Sequence, residues 1–234
     1  FLEGSADGVY DVTEDQTITL TKDIGTAAEP LEVRFDFTGA YTVTFTTTST
    51  ETINVYLTYA TSGSAASDET KSMFNGTSST AAGLKLSGNI SMDIVLTESS
   101  TTAVKGNSHI ASYTDLTLEN GADITMHQNS AVNGVSWYNG TITAGEGSVI
   151  TLDAANGINA VLKLTNADLV VKNAQYATIN VQTGSTFSGA DITADSISGG
   201  DDATASGTSI YFADEPAFTG TSIIDMGQGD VRIE

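Results

Sequence analysis

The chain has few residues suited to metal or acid–base chemistry, and their spacing is not that of a known site. It contains two histidines, His109 and His127, and no cysteine. No His-x-x-His or His-Glu-x-x-His spacing occurs, so we predict no metal ligand and no cofactor. His127 follows Met126, an apolar residue in an alternating segment, so its side chain is expected to point outward into solvent.

The acidic residues raise the question of glycoside hydrolysis or calcium binding, but neither pattern is complete. Carboxylate pairs hydrolyse glycosidic bonds, and parallel β-helix enzymes that act on pectin add a basic residue on the outer face. The basic candidates Lys105, Lys163 and Lys172 stand in no recognisable motif, and no Gly-x-Ser-x-Gly nucleophile occurs. Both the EF-hand loop and the calcium-binding nonapeptide are absent, so residues 199–202 (Gly-Gly-Asp-Asp) indicate a solvated loop. We predict no catalytic residue.

Adjacent aromatic residues provide the ligand-binding candidates. Trp137 is the only tryptophan, and Tyr138 follows it inside the region with the strongest strand pattern. Aromatic rings on the side of a stack of strands can stack on sugar rings, whereas a single tryptophan more often packs at a corner or over the edge of the core. We predict Trp137 and Tyr138 as the ligand-binding residues; Tyr211 and Phe212 form a second adjacent aromatic pair.

Threonine pairs such as Thr141 and Thr143 raise the question of an ice-binding ladder. The two side chains of such a pair lie about 6.6 Å apart in a strand. A ladder needs threonine at the same outward position in successive turns, and the predicted outward series is Thr117, Thr143, Lys163 and Asn180. Because this series is not a threonine ladder, we interpret threonine as an ordinary exposed strand residue.

The elements that would position these residues come from a short repeated pattern. It reads apolar, polar, apolar, two mostly polar residues, then Gly or Ala, and its period of two is that of a strand. The copies start at residues 116, 142, 162 and 179, so the steps are 26, 20 and 17 residues. Steps near twenty residues suit one turn of a parallel β-helix, whose turns stack at about 4.8 Å. The copies are Leu-Thr-Leu-Glu-Asn-Gly (116–121), Ile-Thr-Ala-Gly-Glu-Gly (142–147), Leu-Lys-Leu-Thr-Asn-Ala (162–167) and Ile-Asn-Val-Gln-Thr-Gly (179–184).

The repeats also predict which residues form the core. Residues 94–99 fit the pattern one turn before the first copy, without its glycine. The third copy breaks the spacing, because it would place Val170 and Lys172 inside, and lysine does not belong in a core. A corner shortened by one residue would place Leu169 and Val171 inside instead. The predicted inward residues are Ile94, Leu96, Leu116, Leu118, Ile142, Ala144, Leu162, Leu164, Ile179 and Val181.

Asparagine followed by glycine or alanine indicates the last corner of each turn. Asn-Gly occurs at 133–134 and 156–157, and Asn-Ala occurs at 173–174. Asparagine and glycine tolerate the left-handed backbone conformation that a corner requires. This corner lies 17, 14 and 11 residues after the start of its repeat. We therefore expect the variable length of the turns to lie in the stretch between the second pair of apolar residues and this corner.

Residues 1–75 differ from the rest and are predicted to be an N-terminal β region, either a cap or the first irregular turns. Alternating segments at 17–21, 31–37, 41–45 and 53–59 are rich in β-branched and aromatic residues. A cap would cover the unpaired backbone at the end of a solenoid. Residues 60–83 are rich in Ser, Thr, Ala and Gly, which makes them the best linker candidate, with Met73 and Phe74 as a buried anchor.

No apolar stripe with helical period occurs, so the predicted fold class is all-β. We predict a right-handed parallel β-helix, or β-solenoid, with an irregular or antiparallel N-terminal cap region. Residues 76–234 would form the parallel β-helix itself. The handedness follows the known bias of such coils, and the alternative fold is an antiparallel sandwich whose strands share a spacing.

Composition limits the partners. The 234 residues carry 8 basic and 29 acidic side chains, a formal charge of −21, which repels nucleic acid and anionic membranes. The 39% of apolar residues and the sustained alternation argue for a folded chain and against disorder. No apolar stretch is long enough to span a membrane. The lack of cysteine is typical of exported bacterial proteins, and the start at Phe1 leads us to expect a piece of something longer.

Two segments resemble the repeats of bacterial autotransporter passengers and related large surface adhesins. They are Leu-Thr-Leu-Glu-Asn-Gly-Ala-Asp-Ile-Thr-Met (116–126) and Gly-Thr-Ile-Thr-Ala-Gly-Glu-Gly-Ser-Val-Ile-Thr-Leu (140–152). The resemblance covers roughly residues 84–190 and is generic, because such motifs reflect β-helix geometry more than descent. It implies export, a right-handed parallel β-helix and a role in adhesion, aggregation or biofilm. The family shares no site motif, so no binding residue is carried over.

We therefore expect a non-enzymatic, adhesin-like β-solenoid that is extracellular or on the bacterial cell surface. The expected partner is a host or bacterial surface protein or glycan, with self-association as a further option and without nucleic acid or membrane insertion. A carbohydrate-binding or polysaccharide-degrading β-helix is one alternative, which needs acidic, basic and aromatic side chains clustered in an outer groove. A structural stalk or lattice module is the other.

Overall fold

The computed structural model describes residues 8–61, 72–77, 81–98, 109–128, 135–153, 157–173, 177–194, 209–225 and 231–233. Within these ranges the chain forms strands and no helix, so no helix there could cross a membrane. The strands are β1 (Gly8–Val12), β2 (Gln16–Thr19), β3 (Leu31–Phe37), β4 (Thr42–Thr46), β5 (Ile53–Thr61), β6 (Phe74–Asn75), β7 (Ala82–Ser87), β8 (Ile90–Glu98), β9 (Ala111–Ser112), β10 (Thr114–Glu119), β11 (Asp123–Gln128), β12 (Trp137–Ala144), β13 (Val149–Asp153), β14 (Gly157–Thr165), β15 (Asp168–Lys172), β16 (Thr178–Val181), β17 (Thr186–Ser188), β18 (Asp191–Ala194), β19 (Ser209–Phe212), β20 (Ala217–Thr219), β21 (Ile223–Asp225) and β22 (Val231–Ile233).

The strands form three stacks in which each strand pairs in parallel with its equivalents one turn away. Stack 1 contains β1, β3, β6, β9, the start of β12 and of β14, β16, β19 and β22. Stack 2 contains β2, β4, β7, β10, the end of β12 and of β14, β17 and β20. Stack 3 contains the start of β3 together with β5, β8, β11, β13, β15, β18 and β21. The predicted all-β parallel solenoid is confirmed.

The described part of the N-terminal region follows the same plan. Strand β1 pairs in parallel with β3, β2 pairs with β4, and Ile24 forms a parallel bridge to Val55. These strands are therefore turns of the solenoid, as one of the two alternatives for this region proposed, and no described pairing among them is antiparallel. Met73 and Phe74 in the linker candidate are both fully buried.

The core consists of inward columns that run along the solenoid. All ten residues predicted to point inward are buried. In stack 1 the small Ala111 lies between the large side chains of Phe74 and Trp137. The rings of Phe35 and Phe74 stack at 5.2 Å between centroids. Full burial of an aliphatic or aromatic side chain contributes about 1.5–3 kcal/mol, so stability accumulates turn by turn.

Two of the predicted columns are wrong, although their residues do point inward. Ile94 stacks on Met126 in stack 3 rather than on Leu116 in stack 2. Ile179 stacks on Ile158 in stack 1, and the residue that follows Leu164 in stack 2 is Phe187. The reason is physical: the same alternating pattern before a corner serves all three stacks, so the pattern identifies the inward side but not the stack.

The shortened corner in the third repeat is confirmed. Leu169 and Val171 are buried and pair with Ile150 and Leu152, while Lys172 is exposed. Asn166 makes the corner with a positive φ of 48°.

The described parts of the predicted asparagine corners also adopt left-handed conformations. Asn173 has φ 51° and Gly157 has φ 120°, whereas residues 133–134, 156 and 174 lie outside the described ranges. A Cβ atom on Gly157 would lie 2.0 Å from the carbonyl oxygen of Thr178 in the next turn. Glycine is therefore required at this corner both by the backbone angle and by the close approach of the next turn.

Aspartate side chains near the corners join successive turns. Oδ1 of Asp115 accepts a hydrogen bond from the backbone N–H of Thr141 at 2.7 Å, and Oδ1 of Asp123 accepts one from the N–H of Val149 at 2.8 Å. Each bond satisfies a backbone donor of the following turn. The same contact links Asp15 to Thr42, Asp23 to Asn54, Asp168 to Asp191 and Asp191 to Ile223.

The register of β15 can be tested with neighbouring substitutions. Leu169→Ala leaves a cavity in the core and should lower the free energy of unfolding by about 2–5 kcal/mol. Val170→Ala, on the outward side, should cost about 1 kcal/mol or less. Urea denaturation followed by circular dichroism measures both, and a larger loss for Val170→Ala would contradict the register.

The aspartate contacts allow a second test, at Asp115. Asp115→Ala removes the acceptor for the Thr141 N–H and should lower the free energy of unfolding by about 1–2 kcal/mol. Asp115→Asn keeps an acceptor oxygen in the same place and should cost clearly less. Equal losses for the two variants in the same denaturation experiment would show that the hydrogen bond does not stabilise the solenoid.

Candidate functional site

The predicted aromatic pair is divided between the core and the surface. Trp137 is fully buried, and its Nε1–H donates a 2.8 Å hydrogen bond to the carbonyl oxygen of Thr114. Its indole therefore belongs to the core of stack 1 and offers no surface to a ligand, which corrects that half of the prediction. Tyr138 points the opposite way, because side chains alternate along a strand, and it is partly exposed. Ligand binding at Tyr138 stays a prediction.

The ring of Tyr138 is held by two neighbours. The imidazole of His109 stacks on it at 4.8 Å between centroids and an interplanar angle of 11°, and Tyr113 meets it edge-on at 5.8 Å. His109 is held in turn by a hydrogen bond from Nδ1–H to the carbonyl oxygen of Val135 at 2.7 Å. Burial lowers the pKa of His109, so the stacked ring is neutral at physiological pH. Tyr138 is thus a fixed, uncharged platform.

Tyr138 is the first member of an outward column that we name the tyrosine–amide column, consisting of Tyr138, Asn159, Asn180 and Tyr211. These residues occupy the same register position in four successive turns of stack 1. The two tyrosines are three strand spacings apart, or about 14 Å along the solenoid. Tyr211 belongs to the second predicted aromatic pair, whose other member, Phe212, is buried in the core as Trp137 is.

Gln182 links the amide of Asn159, which belongs to this column, to the amide of Asn139, the residue after Tyr138. Its Nε2 donates to Oδ1 of Asn159 at 2.9 Å and to Oδ1 of Asn139 at 3.1 Å. An open cleft of about 290 Å³ lies beside it, between Asn159 and Tyr211. The lining consists of Asn159, Asn180, Val181, Gln182, Tyr211, Phe212 and Ala213, so it contains no charged side chain.

Sequence reasoning missed the amide residues of this site. Asn159 follows Tyr138 by 21 residues, and Asn180 follows Asn159 by a further 21. The sequence did contain a signal that could have placed these residues in one column. It was the two equal steps of about one turn, each of which ends on an outward polar residue. Tyr211 comes 31 residues after Asn180, so its place in the column could not be read from the same spacing.

His127 points outward as expected, but it lies between two carboxylates. Its Nε2 is 3.2 Å from Oδ1 of Asp93, and its Nδ1 is 3.8 Å from Oδ2 of Asp153. The three residues come from β8, β11 and β13, three successive turns of stack 3. Asn173 also donates to Asp153 Oδ1 at 2.8 Å. When both ring nitrogens are protonated, the imidazolium donates a hydrogen bond to Asp93 and lies at ion-pair distance from Asp153, so it links three turns.

The carboxylates around His127 make its charge depend on pH near neutrality. The hydrogen bond to Asp93 raises the pKa of His127 above its ordinary value of 6.5, burial opposes this shift, and the charges of Asp93 and Asp153 add to it. A raised pKa in the folded chain means that the bridge stabilises the fold fully below pH 6.5. This stabilisation is lost as the pH rises through the folded pKa.

The remaining candidates show no site in the described residues. Lys163 and Lys172 are exposed on outer faces, and Lys105 and residues 199–202 lie outside the described ranges. No group of three acidic or histidine side chains with metal-holding geometry occurs in the part of the chain that the structure covers.

The outward threonine series also differs from the prediction. Asn180 belongs to stack 1, and the outward residue that follows Lys163 in stack 2 is Thr186. Lys85 and Lys163 still interrupt this column, and Lys85 forms an ion pair with Glu119 at 2.9 Å. The interruptions leave no continuous threonine ladder.

Comparisons of the chain with protein-family models, with curated proteins and with solved structures gave no match. The site is therefore interpreted from its own geometry.

The two histidines should titrate on opposite sides of the ordinary value of 6.5. In NMR spectra recorded against pH, we expect one imidazole to titrate above 6.5 and the other below it. Asp153→Asn should lower the pKa of His127 and leave that of His109 unchanged, which assigns the signals. Titration of both histidines at one common pH would contradict the bridge.

Proposed function

We propose that this chain is a non-enzymatic, adhesin-like β-solenoid of a bacterial surface or secreted protein, and that it binds glycans through the tyrosine–amide column. The observation that carries the proposal is the alignment of two tyrosines and two asparagines on one outer face. They lie beside an uncharged cleft in which Gln182 already orients the amide of Asn159.

The chemistry of the column suits sugars. A pyranose ring presents apolar C–H groups that pack on an aromatic face, and hydroxyls that both donate and accept hydrogen bonds. Tyrosine supplies such a face with a polar end, and side-chain amides supply donors and acceptors together. The stacked His109 and the bond from Gln182 orient these groups before a ligand arrives, which reduces the entropy lost on binding.

Binding without catalysis fits the cleft better than hydrolysis does. A glycosidase needs two carboxyl groups flanking the scissile bond, and the cleft is lined by amides, aromatic rings and small apolar residues. The carboxylates of Asp93 and Asp153 lie in a different stack, where His127 occupies the space between them. The adhesion role itself is supported by the resemblance to autotransporter passengers and surface adhesins.

A glycan array followed by calorimetry on the hits tests this function. Tyr138→Ala, Tyr211→Ala and Gln182→Ala should each weaken binding by about tenfold, because each removes a stacking platform or the amide that orients its neighbours. Tyr56→Ala is the matched control, since Tyr56 is also outward and partly exposed but lies in stack 3. An intact array signal in all three site variants would place binding elsewhere, and an empty array would remove the proposal.

A further inference from the structure

The dimensions and charge of the tyrosine–amide column indicate which class of glycan it would bind. This inference rests on the proposed function. We infer that the tyrosine–amide column binds a neutral, linear, extended polysaccharide that runs parallel to the solenoid axis and occupies four successive sugar positions.

The orientation follows from the register. The four side chains of the column succeed one another by one strand spacing each, along the solenoid and not around it. A hexose chain with diequatorial linkages is extended and advances by about one strand spacing per sugar. Such a chain can therefore place one ring at each register position, with its first ring on Tyr138 and its fourth on Tyr211. A compact or highly branched glycan could not contact both tyrosines at once.

The hydrogen-bonding groups around Gln182, in the middle of the column, suit sugar rings that carry hydroxyl groups. Both N–H groups of Gln182 are used, one on Asn159 and one on Asn139. The side-chain oxygen Oε1 of Gln182 and the side-chain N–H groups of Asn139 and Asn159 have no partner within the described residues. The network therefore presents both donors and an acceptor. A sugar hydroxyl satisfies either kind of group, since it both donates and accepts.

Charge selects against acidic polysaccharides. The chain carries a formal charge of −21, and the lining of the cleft has no lysine or arginine to offset it. An anionic chain would approach against the field of the whole molecule, and none of the residues that line the cleft carries a positive charge to pair with it. A neutral chain meets neither cost. The same lining contains no carboxylate, so a cationic glycan finds no partner there either.

Calorimetry with cello-oligosaccharides of increasing length, next to manno- and xylo-oligosaccharides, tests the inference on the intact chain. Affinity should rise at least about tenfold from the disaccharide to the tetrasaccharide and then level off, because the second tyrosine is reached only at the fourth ring. Tyr138→Ala and Tyr211→Ala should both weaken tetrasaccharide binding, and the double variant should remove the length dependence. The cellohexaose counterpart with carboxylates in place of primary alcohols should bind at least about tenfold more weakly.

The outcomes separate this inference from the proposed function. Equal or tighter binding of the carboxylated chain, or hits confined to branched or acidic glycans that still depend on Tyr138 and Tyr211, would overturn the inference and leave the proposed function standing. An affinity that does not change with length would also overturn the inference. Failure of every glycan to bind would overturn both.

Discussion

The structure depends on one constraint: each turn hydrogen-bonds in parallel to the next, so every residue faces its equivalents at one strand spacing. A single turn has too little apolar surface to bury by itself, and stacking solves this by building continuous inward columns. The same register makes continuous outward columns unavoidable. Tyr138, Asn159, Asn180 and Tyr211 form one column only because the core residues between them, from Trp137 to Phe212, are held in register. The core thus determines the geometry of the surface.

This constraint also explains part of the acidic composition. Corners interrupt the strand ladder, and aspartate near a corner supplies an acceptor to a backbone N–H of the next turn, as Asp115 and Asp123 do. A few such residues are required for geometry rather than for charge. Burial raises the pKa of Asp123, and the hydrogen bond from the N–H of Val149 opposes this shift. The remaining acidic side chains set the field that a ligand meets.

Much of the fold could be predicted because strand alternation depends on neighbouring residues. All ten residues that alternation predicted to point inward are buried, and the conflict at Lys172 identified the shortened corner at Asn166. Assignment to a stack failed for Ile94 and Ile179, because corner lengths vary and decide which face the chain has reached. The site was harder still. The bridge from Asp93 through His127 to Asp153 spans three turns, and no local pattern contains it.

The two aromatic pairs drew attention to this face of the solenoid, but the pairing itself did not show which residue of each pair is exposed. Two adjacent aromatic residues must point to opposite sides, so each pair supplies one core residue and one surface residue. Trp137 and Phe212 anchor their turns, and this anchoring fixes the position of Tyr138 and Tyr211 outside. A surface tyrosine whose neighbour is buried in the core loses little freedom when it meets a ligand. In the proposed site, the buried members of the pairs would contribute to recognition by positioning the tyrosines, without contacting the ligand.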